Sequence, residues 1–327
     1  MTIREQILEL FKTDSELSVK EIVDRLHVTK QSAHSVMNKL MEEGRVEKLG
    51  RVPKTIYRLI SSSAPKAEIA TTVSAAHKKF LQKHCLLITE TGKMLEGANA
   101  FEVWCRQRKL PFEKTIQEFI TTQQKYDAYF NREGFINGME KLKNTKGYEK
   151  INLDALYYLD FYAIERFGKT RLGTLLHYAK QGQNKFLMKK MMDEIHGRIE
   201  KFVAHHHFDA IGFVPPTIRR EVQIMKFIQT HLRFSLPVLD IKKVSGIIPV
   251  PQKSLNKLEE RVVNAQNTFA ITERRSFDRV LLIDDAVGSG ATLNEIAGKL
   301  KQKNTAQHIT GLAISGSFKG FDVITDV

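Results

Sequence analysis

The stretch Val280–Glu295, VLLIDDAVGSGATLNE, constrains this chain more than any other. An apolar run ends in two adjacent carboxylates, Asp284 and Asp285. A loop of small residues follows, and then a helical pattern begins. A buried strand running through a tight loop into a helix is the repeating unit of a parallel α/β sheet. Gly288 and Gly290 let backbone N–H groups come close to phosphate oxygens, while Ser289 and Thr292 add hydroxyl donors. The start of the helix adds a favourable dipole. Two carboxylates at the strand end suit the vicinal hydroxyls of a ribose and can hold Mg²⁺ through water. The plain alternative is an acidic strand–turn–helix, but two acids, Gly-Ser-Gly and Thr coincide after one strand. No Lys follows the glycines, which excludes a Walker A loop. The acids precede the glycines, which excludes a dinucleotide-binding fingerprint.

The surrounding pattern agrees with a parallel sheet. FDAIGFV (208–214), LPVLDI (236–241), FDRVLLID (277–284) and HITGLAI (308–314) read as buried strands. A helix is expected to about residue 232, another over 292–303, and a long helical segment from Lys169 to about Ala204. The expected fold class is α/β: an N-terminal winged helix (1–60, α+β), a linker (61–76), a helical middle region (77–165) and a parallel-sheet domain (166–327).

At these residues the chain resembles the 5-phosphoribosyl-1-pyrophosphate (PRPP) motif of type I phosphoribosyltransferases. That pattern is an apolar strand, two acids, two variable residues, two Thr or Ser, Gly, any residue and Thr; Gly288 stands where a Thr or Ser is common. Upstream, Gln252, Leu255, Glu260-Arg261, Asn264 and Phe269 are similar to the ComF-type branch, as are Val214-Pro215-Pro216 with Arg219-Arg220, and RLGTLLHYAKQGQ (171–183). The resemblance covers roughly 165–327. It implies that Asp284, Asp285, Ala286, Gly288, Ser289, Gly290, Ala291 and Thr292 bind the ribose and its 5-phosphate. Arg219 and Arg220 would neutralise pyrophosphate. Mg²⁺ would sit on Asp284 and Asp285 through water. Arg261 and Asn264 would act catalytically from a mobile flap spanning 252–268. Many ComF-type proteins begin with a cysteine-bound zinc module. This chain has only Cys85 and Cys105, so no cysteine-rich zinc module is expected.

The first 60 residues carry a second signal. Ser18 with Glu21 forms a capping box ahead of one helix, and Thr29 caps KQSAHSVMNKLMEEG, which Gly44 ends. Two alternating runs about a Gly50-Arg51 turn follow. Three helices and a hairpin resemble a winged helix-turn-helix. Residues 29–58 hold seven basic and three acidic residues. Lys30, Gln31, Ser35, Asn38 and Lys39 on the third helix, with Lys48, Arg51 and Lys54 on the wing, are the expected nucleic-acid contacts. Gln and Asn can read adenine edges, and Lys positions phosphates.

The chain holds 51 Lys and Arg against 37 Asp and Glu, a net +14, which draws polyanions. Lys169, Arg171, Lys180, Lys185, Lys189 and Lys190 have no acid among them and read either as a solvated face or as an anion surface. His205-His206-His207 reads as a helix end, since adjacent histidines do not converge on one ion. The aromatic middle, with Trp104, Tyr157-Tyr158 and Phe161-Tyr162, reads as packing without chemistry. No run of 18 apolar residues occurs, and MTIREQILEL reaches charge too soon for a signal peptide, so a cytoplasmic location without a membrane is expected.

Together these features point to a nucleic-acid-binding regulator that responds to PRPP or a ribose 5-phosphate compound, and to a homodimer. The alternatives are an active phosphoribosyl- or ribosyl-transferring enzyme, including a defence or toxin-like effector acting on nucleotides, and a DNA-uptake accessory protein.

Overall fold

The computed structural model describes residues 1–51, 54–60, 73–145, 147–216, 218, 220–244 and 258–317, with backbone alone at 50, 51, 54 and 258. The chain divides into two compact units, Met1–Ala70 and Thr71–Val327.

The first unit runs α1 (Ile3–Thr13), β1 (Glu16–Leu17), α2 (Val19–Leu26), α3 (Lys30–Glu42), β2 (Val46–Arg51) and β3 (Lys54–Leu59). Capping boxes start α1 and α2: Thr2 and Ser18 each accept from the N3 backbone, and Glu5 and Glu21 reach back. His27 adopts a left-handed conformation that turns α2 into α3. Ile7, Phe11, Leu17, Ile22, Met37, Leu40, Val46 and Tyr57 are buried together beneath a sheet of order β1-β3-β2. The hairpin ladder continues through Gly50↔Thr55 to Arg51↔Lys54. The turn therefore falls later than Gly50-Arg51, because those two residues still pair.

The second unit begins with α4 (Ala75–His84), β4 (Leu86–Ile88), β5 (Met94–Glu96), α5 (Gly97–Gln107), α6 (Phe112–Asp127), β6 (Ile136–Asn137) and α7 (Met139–Asn144). It continues with β7 (Ala155–Phe161), β8 (Ala163–Ile164), β9 (Gly168–Lys169), α8 (Arg171–Gln181), α9 (Lys185–His206), β10 (Ala210–Phe213) and α10 (Ile224–Leu232). The last elements are β11 (Ile241–Lys243), α11 (Leu258–Thr268), β12 (Phe269–Ile271), β13 (Phe277–Val287), α12 (Ala291–Gln302) and β14 (Ala306–Gly316). Five strands form one sheet in the order β10-β13-β14-β7-β6, with the first four parallel and β6 antiparallel.

Four expectations need correction. The middle region is not a separate helical block, because ALYYLDF (155–161) is a sheet strand paired with β14 on one side and β6 on the other. Residues 155–161 and 306–316 thus share one sheet across the expected boundary at 165. Ser74 caps α4, so the stretch expected as linker already ends in helix at Ala75; residues 61–72 of it lie outside the described ones. The long helix from Lys169 is two helices, broken where Gln183 takes a positive φ and Asn184 caps α9. In LPVLDI, Pro237 has no N–H to give a ladder, and Val238 makes only a bridge to Ile211.

His84 sits at the end of α4 against Phe80, ring centroids 4.6 Å apart. Burial, with the charge of Lys83, pushes its pKa down to about 4. A folded value below the unfolded one gives stability that is present above about pH 6.5 and lost as the pH falls toward 4. Urea titrations across that range are expected to show a shallower acid loss for His84→Gln than for the parent protein.

Candidate functional site

The sheet sets the place of the site. After β10 the chain enters α10, which packs with α8 and α9 on one face through Ile224, Met225, Ile228 and Leu232. After β13 it enters α12, which packs on the opposite face through Leu293, Ile296, Ala297 and Leu300. Neighbouring parallel strands whose helices leave to opposite faces open a crevice at their carboxyl ends. Asp284, Asp285 and the loop to Ala291 stand at one lip of that crevice. Val214-Pro215-Pro216 stands at the other.

Lys180, near the end of α8, pairs with Asp285 at 2.5 Å, and Asp285 is only 6% exposed. On the next residue, Gln181 accepts from the Arg220 guanidinium at 3.0 Å, and Gln183 accepts from the Val222 N–H. The end of α8 thus brings Arg220 to the side of the crevice where Asp285 lies. Asp284 is half-buried and holds its proton well above the usual carboxylate range, because of burial first and the Asp285 charge second; Lys180 opposes both. The Asp285 N–H donates to Asp284 Oδ1 at 2.8 Å.

The loop is compact. Ser289 Oγ accepts from the Ala291 N–H at 3.3 Å, and Gly290 takes φ +91°. A Cβ on Gly290 would lie 2.8 Å from Leu142 Cδ1. Thr292 is half-buried in the first turn of α12, whose leading N–H groups have no partner within the helix. Ala286 and Gly288 are half-buried beside it.

Arg261 and Asn264 are not on an open flap. They belong to α11, which packs on α12, and Arg261 is 5% exposed. Ala265 and Phe269 bury the same helix end. The charge of Arg261 adds to the burial that pushes the Lys141 amine down and opposes the burial that pushes the Tyr148 hydroxyl up. Arg219, Gln252 and Leu255 lie outside the described residues. The basic run at 169–190 is not an unpaired strip: acids from other segments meet it, with Arg171 on Glu96 and Glu194, and Lys190 on Glu96. His205 and His206 end α9 and both face Glu133.

Reading the sequence missed Lys141 and Tyr148. The Lys141 amine donates to the Gly288 carbonyl at 2.8 Å, and the Tyr148 hydroxyl donates to the Ser289 carbonyl at 2.9 Å. Both lie about 140 residues before the loop, in a stretch whose composition suggests only packing.

In the first unit, Lys30, Gln31, Ser35, Asn38 and Lys39 are exposed along α3, and Lys48 is exposed on β2. None of these side chains has a hydrogen bond or ion pair among the described residues. The side chains of Arg51 and Lys54 lie outside them. The other face of α3 is spent on the core, with Ala33, Met37 and Leu40 buried. Neighbouring charges are paired away from this face: Arg4 with Glu43 at 2.6 Å, Arg25 with Asp14 at 2.5 Å and Arg58 with Glu47 at 2.6 Å.

A helix followed by a sharp turn and a second helix with one free polar face defines a helix-turn-helix. Residues 6–50 match the family of the IclR helix-turn-helix domain. The matched span runs from α1 through α2, the turn and α3 into the wing. The first unit is accordingly a nucleic-acid-binding module of that type. Among curated proteins, none matches the chain significantly. Among the described residues, no helix is long and apolar enough to cross a membrane.

Gly290→Ala is expected to lower the stability of the second unit by about 1–3 kcal/mol, since it meets both a positive φ and Leu142. Thermal unfolding would measure this. An unchanged midpoint would show that the loop can take another shape.

Proposed function

We propose that the chain is a DNA-binding regulator whose second unit takes PRPP or a ribose 5-phosphate compound with Mg²⁺. The observation that carries this reading is the crevice at the carboxyl ends of β10 and β13, lined by Asp284, Asp285 and the Gly288–Thr292 loop. Its chemistry suits a sugar phosphate. The carboxylates accept from the ribose hydroxyls. The loop amides and the Ser289 and Thr292 hydroxyls take the 5-phosphate. Arg220 is the candidate partner for pyrophosphate; Arg219, which the resemblance also implies, lies outside the described residues. The resemblance to ComF-type phosphoribosyltransferases supports the same assignment.

The donor set fits Mg²⁺, because both groups are hard carboxylate oxygens. Asp284 and Asp285 would hold it through water, and the ion would neutralise pyrophosphate charge. The resemblance would also bring Arg261 and Asn264 of α11 to this site as catalytic residues. A homodimer fits both the winged helix and the transferase-like unit, since two-fold symmetry is the commonest assembly.

Calorimetry with ribose 5-phosphate or PRPP and Mg²⁺ tests the ligand. Asp284→Asn with Asp285→Asn should weaken binding strongly, because each charged acceptor contributes roughly 1.5–3 kcal/mol. Equal affinity in the double variant would remove the site. Pyrophosphate release with candidate bases would move the unit from sensor to phosphoribosyltransferase.

The nucleic-acid half has its own test. Residues 1–60 hold eleven Lys and Arg against nine Asp and Glu, so only two of the fourteen excess charges fall there. Specific contacts must then come from side chains aimed at DNA rather than from bulk charge. Substituting Lys39 or Lys48 should weaken binding to every sequence and lower the salt slope by about one unit. Substituting Gln31, Ser35 or Asn38 should relax specificity more than affinity. Mobility shifts at two salt concentrations, with and without PRPP, would check this. Binding that PRPP leaves unchanged would separate the two halves.

A further inference from the structure

The loop after β13 is held by a segment that precedes the four parallel strands of the sheet in sequence. Lys141, on α7, donates to the carbonyls of Gly288 and Ser317, at 2.8 and 2.9 Å, and also contacts the Ser317 hydroxyl. Tyr148 donates to the carbonyl of Ser289. Leu142, next to Lys141, closes on Gly290. Three consecutive loop residues are therefore fixed by three side chains from 141–148.

The consequence follows from peptide geometry. In a trans peptide the C=O of one residue and the N–H of the next lie in one plane and point in opposite directions. A Gly288 carbonyl fixed on Lys141 turns the Ser289 N–H away from α7. A Ser289 carbonyl fixed on Tyr148 turns the Gly290 N–H away from the same wall. Neither N–H has a backbone acceptor among the described residues. Gly290 takes φ +91°, and a Cβ there would lie 2.8 Å from Leu142 Cδ1, so both the turn and the close wall favour glycine at that position.

We infer that Lys141 and Tyr148 are positioning residues: they hold two successive peptide planes so that the Ser289 and Gly290 N–H groups face the anion side of the crevice. This rests on the sugar-phosphate reading of the loop, and it gives the middle region a role in that site. The groups behave as buried donors. Burial, with the charge of Arg261, pushes the Lys141 amine down to about 8, and burial pushes the Tyr148 hydroxyl up to about 12. Preset dipoles bind an anion better than dipoles that must first be oriented.

The test uses the full chain with Tyr148→Phe and Lys141→Gln. Tyr148→Phe removes one oxygen and leaves the ring in place. The first readout is hydrogen exchange of the 286–292 peptide without ligand, expected to speed up about 5-fold or more in either variant. The second is affinity for ribose 5-phosphate and for inorganic phosphate. Both should fall by the same factor, about 3–10-fold for Tyr148→Phe and about 10–100-fold for Lys141→Gln. A general loss of packing would instead lower the melting temperature without singling out phosphate. If the parent protein binds both probes and the variants bind as well, the positioning role is overturned while the ligand reading stands. If the parent binds neither probe, the ligand reading fails. The hold on the loop is then judged by exchange alone: faster exchange supports it and unchanged exchange overturns it.

Discussion

Parallel pairing of β13 on both edges is the constraint on which the second unit depends. With β10 on one side and β14 on the other, the strand has no open edge, and its residues 280–283 are fully buried. The ladder to β10 ends at Ile283, while the ladder to β14 runs on to Val287. Asp284 and Asp285 stand where only one edge of the strand is still paired, and the loop, the start of α12 and the ion pair to α8 follow from there. The same constraint explains the opposite exits of α10 and α12, since helices from adjacent buried strands must cover both faces of the sheet.

Much of this was legible in the sequence because it is local. Ser18 with Glu21 and Thr29 announce helix starts through hydrogen bonds that span three residues, and both caps form. The strand–loop–helix of 280–295 is equally local. What was hidden is long-range. ALYYLDF lies among helices, so its neighbours suggested a helical region; its place in the sheet is set by β14, about 150 residues later. Lys141 and Tyr148 were invisible for the same reason, since a lysine and a tyrosine in a mixed segment look like surface and core. No periodicity marks a side chain that serves a loop 140 residues away.

The sequence also misled about charge. Six basic residues without an acid among them between 169 and 190 suggest a free cationic face. In the fold, Glu96, Glu194 and Asp285 arrive from other elements and claim three of them, Arg171, Lys180 and Lys190. Charge patterning along a chain predicts exposure poorly where helices pack against distant segments. The helix-turn-helix shows the reverse case: its polar α3 face is free because the acids near it pair with Arg4, Arg25 and Arg58 instead.

The pairing of Lys180 with Asp285 has a consequence for how the crevice fills. A carboxylate that already holds an ammonium at 2.5 Å must loosen that pair before it serves another partner. Occupancy by any ligand that uses Asp285 is then an exchange of partners rather than an addition, and the displaced amine becomes available to whatever anionic group arrives with the ligand. On the sugar-phosphate reading, the pair would favour molecules that bring a hydroxyl for the acid and a negative group for the base in one piece over those that bring only one of the two. Selectivity would then begin in the resting state, before any contact with the loop is made.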